Sequence, residues 1–126
     1  MARAKIRGRK ARGRPLTMVV LRKLAGALPG VEEGTSYGTP GFRCRKRLLA
    51  RIHQKEPAVV LSVGDEAAQQ TLIAMDPSVF YIIDHYVGTS WVLARLPKLR
   101  VGQLRDVFEA SWRGAASAKQ LAELDG

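Results

Sequence analysis

Residues 76–96 read DPSVFYIIDHYVGTSWVLARL. Two apolar runs, Val79–Val87 and Ser90–Leu96, flank Gly88-Thr89. Both are rich in aromatic and β-branched residues, the composition of strands. A short glycine-containing turn between two such runs predicts an antiparallel hairpin. Asp76-Pro77 closes whatever precedes it, because Pro77 has no backbone N–H and disfavours helix at the residue before it. Phe80, Tyr81, His85, Tyr86 and Trp91 all lie in this stretch, so a site is expected on or beside it.

Upstream, Ala58–Val63 is a nearly continuous β-branched and apolar run, which predicts a central strand. Before it, Phe42 and Cys44 alternate with Arg43 and Arg45, and Leu48, Ala50 and Ile52 alternate with Arg47, Leu49, Arg51 and His53. That alternation predicts another hairpin, connected at Lys46-Arg47, with Arg43, Arg45, Arg51 and His53 on one face. Val31–Gly41 is punctuated by Gly34, Gly38, Pro40 and Gly41 and reads as a shaped loop. No Gly-Lys-Ser/Thr follows it, so it is not a phosphate-binding P-loop.

Three helices separate these runs. Pro15–Ala27 carries a stripe of Val20, Leu21, Leu24, Ala25 and Leu28, with Thr17 as a candidate N-cap. A second helix opens at Asp65, with Ala68, Leu72 and Met75 as its buried stripe. Val101, Leu104, Phe108, Trp112 and Ala115 recur at helical spacing, and Ser117–Gln120 forms a capping box for a last turn. The order is helix, three strands, helix, two strands, helix. Short links between the strands favour antiparallel pairing. The fold class expected is α+β: a two-layer domain over residues 16–126, with a five-stranded antiparallel sheet and helices on one face.

The chain has 126 residues and a formal net charge of +10. Residues 1–14 hold Arg3, Lys5, Arg7, Arg9, Lys10, Arg12 and Arg14 and no acid, leaving 14 basic against 11 acidic residues in the rest. Most of the polyanion signal therefore lies in this arm, which is expected to be disordered when free and to contact phosphates through its cations. Arg43, Arg45, Lys46, Arg47 and Arg51 form a second basic cluster, on the first hairpin. Nucleic acid, DNA first, is the partner these clusters imply. A pocket lined by Tyr37, His85, Tyr86 and Trp91, taking a small ligand or a protein, is the alternative.

The single cysteine, Cys44, has no internal disulfide partner, and a buried strand position is expected for it. Cys44, His53 and His85 have no metal-site spacing, so no metal or cofactor is expected. Asp76, Asp84 and His85 are the remaining acid–base candidates, but nothing in their spacing names a reaction, and a non-enzymatic role is favoured. No apolar run approaches a membrane span, and a cytoplasmic location is expected.

The ordered motifs Leu28-Pro29-Gly30-Val31-Glu32-Glu33, Gly38-Thr39-Pro40-Gly41-Phe42-Arg43-Cys44, Asp76-Pro77 with Phe80, His85-Tyr86-Val87-Gly88, and Trp91-Val92 with Leu96 resemble the MmcQ/YjbR family. The resemblance covers roughly residues 16–116. It implies a compact α+β fold similar to secretion-chaperone-like folds, in small bacterial cytoplasmic proteins often labelled DNA-binding. No catalytic residues come with it. The chain departs from the family in having Lys46-Arg47 where Gly-Lys is frequent, and in its basic arm.

Overall fold

The computed structural model describes residues 18–126; the basic arm, Thr17 and the expected start of the first helix lie outside them. The elements run α1 (Met18–Gly26), β1 (Val31–Ser36), β2 (Thr39–Cys44), β3 (Arg47–Ile52), β4 (Ala58–Ser62), α2 (Glu66–Met75), β5 (Phe80–Tyr81), a 3-10 turn (Asp84–Tyr86), β6 (Trp91–Arg95), α3 (Val101–Ala115) and α4 (Ala118–Asp125). All six strands form one antiparallel sheet in the order β1-β2-β3-β4-β6-β5. The fold is the expected α+β layer pair, with six strands rather than five.

The added strand is β1. Its glycines and glutamates gave it the look of a loop, yet Val31–Ser36 pairs residue for residue with β2, from Val31 opposite Cys44 to Ser36 opposite Thr39. An edge strand has a single hydrogen-bonded neighbour, and here Glu32–Thr35 are exposed on both faces, so no hydrophobic alternation is demanded of it. The two-residue turn Tyr37-Gly38, with both φ angles positive at 54° and 78°, joins β1 to β2. This is the backbone of the tight turns that match strand twist.

One sheet face packs under the helices. Phe42, Ala50, Val59, Leu61, Val92 and Ala94 meet Leu21 and Ala25 of α1 and Leu104, Phe108 and Trp112 of α3 in one buried cluster. Phe42 and Phe108 meet edge to face, their ring centres 6.0 Å apart, a favoured aromatic geometry. Trp112 is fully buried and donates its indole N–H to the Pro29 carbonyl at 2.8 Å. That bond satisfies the one polar atom of the largest core side chain and ties α3 to the end of α1. The α3 stripe and the Ser117–Gln120 capping box are as the spacing predicts.

The α2 stripe differs. Met75 is exposed (75%) and Gln69 is completely buried, alongside partly buried Leu72 and Ile73. Asp65 caps the helix as expected, accepting from the Ala68 N–H at 2.8 Å.

The second hairpin also differs. Only Phe80 and Tyr81 of its first run pair with β6. From Ile82 the chain leaves the sheet, turns through Asp84–Tyr86 and returns at Trp91. The residues 82–90 lie against the sheet face opposite the helices. There Tyr86 joins Ala58, Val60 and Leu93 in a second, smaller buried cluster, with Tyr81, Ile82 and Trp91 packed around it. The face opposite the helices is therefore partly roofed.

Candidate functional site

A β-bulge decides where the basic residues of the first hairpin point. Phe42 lies opposite Ala50, but Arg43 lies opposite Leu48, so Leu49 is an extra residue in β3. A bulge interrupts the strict alternation of faces. Leu49 and Ala50 both enter the helix-side core. Arg51, opposite Val60, keeps to the far face with Arg43. The turn falls at Arg45-Lys46, not Lys46-Arg47, with φ of 52° and 70°. Arg47 thereby becomes the first residue of β3.

The cluster of five cations is divided as a result. Arg45 and Arg47 reach the last turn of α3, donating from Nη1 to the Ala115 carbonyl (3.5 Å) and the Gly114 carbonyl (3.3 Å). The C-terminus of a helix carries partial negative charge and unpaired carbonyls, so cations there are favourable. Arg45 thus leaves the face assigned to it by alternation. Lys46 stands exposed at the turn tip. Arg43 contacts the Ser36 hydroxyl at 3.5 Å and lies opposite Glu32 across the β1–β2 pair. Among the described residues, no carboxylate lies within ion-pair distance of Arg43, Lys46, Arg51 or Lys55; the pairs formed are Arg22–Glu33, Arg113–Glu109 and Arg113–Asp125.

Arg51 is the centre of the far-face site. Its Nη2 donates to the Tyr86 hydroxyl at 2.9 Å, and its guanidinium lies over the Tyr37 ring, 4.9 Å from the centre. Its cross-strand neighbours on one side are Gly41 and, beyond it, Gly34. This row has no side chains to fill the surface beside the guanidinium. A cavity of about 740 Å³ opens here. Tyr37, His85, Tyr86 and Trp91, the four residues expected to share a pocket, all line it. So do Arg51 and, from the turn after β3, His53 and Lys55. No aspartate or glutamate is in its lining.

Alternation places His53 on this face, but its role depends on contacts that spacing does not show. Its Nδ1 accepts hydrogen bonds from the backbone N–H groups of Lys55 and Glu56, both at 3.0 Å. A nitrogen accepting two N–H bonds carries no proton, so the neutral ring holds its hydrogen on Nε2. Burial, first, and then the Arg51 charge lower the His53 pKa from its ordinary value, favouring this neutral form. Tyr37 is 72% exposed, leaving its ring available to a ligand, and Gln54 donates from its side-chain amide to the Tyr37 carbonyl, bracing the turn.

Gln69 braces the opposite wall. From α2 its amide donates to the Tyr86 carbonyl (3.0 Å) and the Trp91 carbonyl (2.7 Å), while its oxygen accepts from Gln70 (2.9 Å). The second half of the roof, residues 86–91, is thus held at both ends by one buried side chain.

Other candidates are not brought together. The Asp76 carboxylate receives the Ser78 hydroxyl and the Gln103 amide, a brace between the start of the second hairpin and α3. His85 lines the cavity, and its ring meets Tyr86 edge-on. Cys44 is fully buried, and burial raises its thiol pKa, which opposes reactivity. Among the described residues, no group of three or more histidine, cysteine or acidic side chains is arranged to hold a metal, and no helix is long and apolar enough to cross a membrane.

The far face of this α+β scaffold thus carries an acid-free cavity lined by cations and aromatic rings. By sequence the chain belongs to the YjbR family, whose model matches residues 26–114. It is 29% identical over 91 residues to uncharacterised proteins of Mycobacterium tuberculosis and Mycobacterium bovis, covering 70% of each chain. Its fold is similar to the crystal structure of the Deinococcus radiodurans protein DR2400, a DUF419 domain, with a TM-score of 0.66 at 18% identity. That match covers 88% of this chain and 89% of the other.

Proposed function

We propose that the protein binds nucleic acid in single-stranded form on the far face of its sheet. The observation that carries this reading is the convergence of Arg51, Lys55 and the exposed ring of Tyr37 on one cavity whose lining has no acidic side chain. Phosphates would be met by Arg51 and Lys55, with Arg43 and Lys46 along the same hairpin. A base separated from its neighbours would stack on Tyr37. A base inside a duplex has no free face to offer, which is why a single strand suits a concave site better. The cations of residues 1–14 add sequence-independent attraction.

The cavity also has room for a single nucleotide, so the small-ligand reading has an observation of its own. Binding of a fluorescent twelve-nucleotide single strand, the matching duplex and a mononucleotide, measured across salt concentrations, tests both. Tight, salt-steep binding of the single strand that is weakened by Tyr37→Ala supports the proposal. Mononucleotide binding with little salt dependence, and no added affinity for the strand, replaces it with the small-ligand reading. Absence of binding to all three refutes both.

A further inference from the structure

The protein has two histidines, His53 and His85, and both line the far-face cavity. Imidazole is the side chain that ordinarily changes charge between pH 5 and 8. The two rings are placed differently. His53 spends Nδ1 on two backbone N–H groups, each at 3.0 Å, and protonating that nitrogen would break both bonds. Burial and the Arg51 charge oppose its charged form, and so does His85, which lies near enough for its charge to act on His53. His85 itself is exposed and meets the Tyr86 ring edge-on. Among the described residues, neither of its ring nitrogens has a hydrogen-bond partner. Both are free to donate once the ring is charged.

The groups around His85 are chiefly of one sign. Arg51 and Lys55 share its cavity, and Tyr37, Tyr86 and His53 are the other titratable groups of the lining. Asp84 precedes it in the 3-10 turn, but lies outside the lining and forms no ion pair among the described residues. An imidazolium beside two cations is disfavoured, and a phosphate brought among them favours it. We infer that His85 is a further phosphate-binding residue of the far face, acting in its protonated form, so that binding a strand takes up a proton and strengthens as pH falls, while His53 stays neutral. The inference rests on the nucleic-acid reading above and deepens it by assigning that site a proton-linked control.

The test uses the full chain and a twelve-nucleotide oligo-dT with hydroxyl ends, read by fluorescence anisotropy at pH 7.5 and pH 5.5. Neither thymine nor a phosphodiester changes charge in that range, so the protein is the source of any change. At about 0.15 M salt an affinity about fivefold higher at pH 5.5 is expected, the worth of one added phosphate contact, with a salt slope steeper by about 0.9. His85→Gln is expected to bring the ratio of the two affinities to within about twofold of unity. His53→Asn, which keeps an acceptor for the turn, should leave the rise in place. The α-amino group, which also titrates near this range, is common to all three proteins, and circular dichroism melts confirm that each variant is folded. NMR of the wild type reads the two rings without any substitution: adding oligo-dT at pH 6.5 should move the His85 signals toward the charged form and leave those of His53 in the neutral form. Equal affinity at the two pH values, with binding retained, overturns the inference and leaves the nucleic-acid reading standing. No binding at either pH overturns both. A rise that survives His85→Gln, or ring signals showing that His53 takes the proton, overturns the assignment to His85.

Discussion

The two faces of the sheet are covered by different means. On the helix side, α1 and α3 bury large side chains, and the polar atom of the largest, the Trp112 indole N–H, is paired internally with the Pro29 carbonyl. On the far side, nine residues between β5 and β6 cover only Ala58, Val60 and Leu93, and the remaining surface is hollow, basic and aromatic. Stability thus comes chiefly from one face, which frees the other to hold groups that do not pack well. Arg51 beside two glycines would be a poor choice for a core, and here it lines the hollow instead.

This contrast can be broken by experiment. Trp112→Ala strikes the helix side, removing the largest core side chain and its hydrogen bond. A loss of about 3–5 kcal/mol is expected from denaturant melts, and a loss below about 1 kcal/mol would deny that this face dominates. Gln69→Ala strikes the far-face wall from behind, leaving the Tyr86 and Trp91 carbonyls without their donor. It should cost about 2 kcal/mol and speed amide exchange in residues 84–91 more than in α1. Equal acceleration in both would contradict the separate roles of the two faces. Arg51→Ala should barely change the melting temperature yet weaken binding of single strands, lowering the salt slope by about one.

Two smaller effects sharpen the picture. Arg45 and Lys46 occupy left-handed backbone, a conformation that costs a residue with a side chain about 1–2 kcal/mol and glycine almost nothing. Lys46→Gly should therefore raise stability by about 0.5–1 kcal/mol, read in the same melts, while reducing affinity for the strand by one phosphate contact. Finally, His53 has its pKa lowered in the folded protein. The unfolded chain then takes up the proton first, near pH 6.5, so native stability is fully present above that value and declines as pH falls below it. The drop in melting temperature between pH 7.5 and pH 5.5 should be smaller in His53→Asn than in the wild type; an equal drop would remove His53 as its source.

Much of the architecture is legible in the residues because it obeys strong periodicities. The α3 stripe, the run Ala58–Val63 and the capping box at Ser117 need only local rules, and they hold. Three features escape those rules. β1 is an edge strand whose apolar content is low, so only pairing with β2 reveals it. The bulge at Leu49 shifts the parity of β3, and nothing in Leu48-Leu49-Ala50 announces which residue is extra. The departure from the sheet at Ile82 runs against β-branched composition and goes with the packing of Tyr86 on Val60 and Leu93, a tertiary contact that composition does not show. The candidate cavity lies where these three meet. Its aromatic members were visible as residue types, and Arg51 as part of a basic run. Their convergence, and the bonds that orient His53, come from tertiary contacts alone.

Gln69 has one further consequence. Because a single side chain in α2 holds both ends of residues 86–91 in the roof of the far face, the helix and the cavity wall are coupled in their opening. A ligand that tightens residues 86–91 must, by reciprocity, also tighten α2 on the other side of the sheet. Occupancy of the far face would then be readable as slower hydrogen exchange in Leu72 and Ile73, residues that no ligand touches. The sheet in this sense is not only a partition between two faces but a route along which one face can report the state of the other.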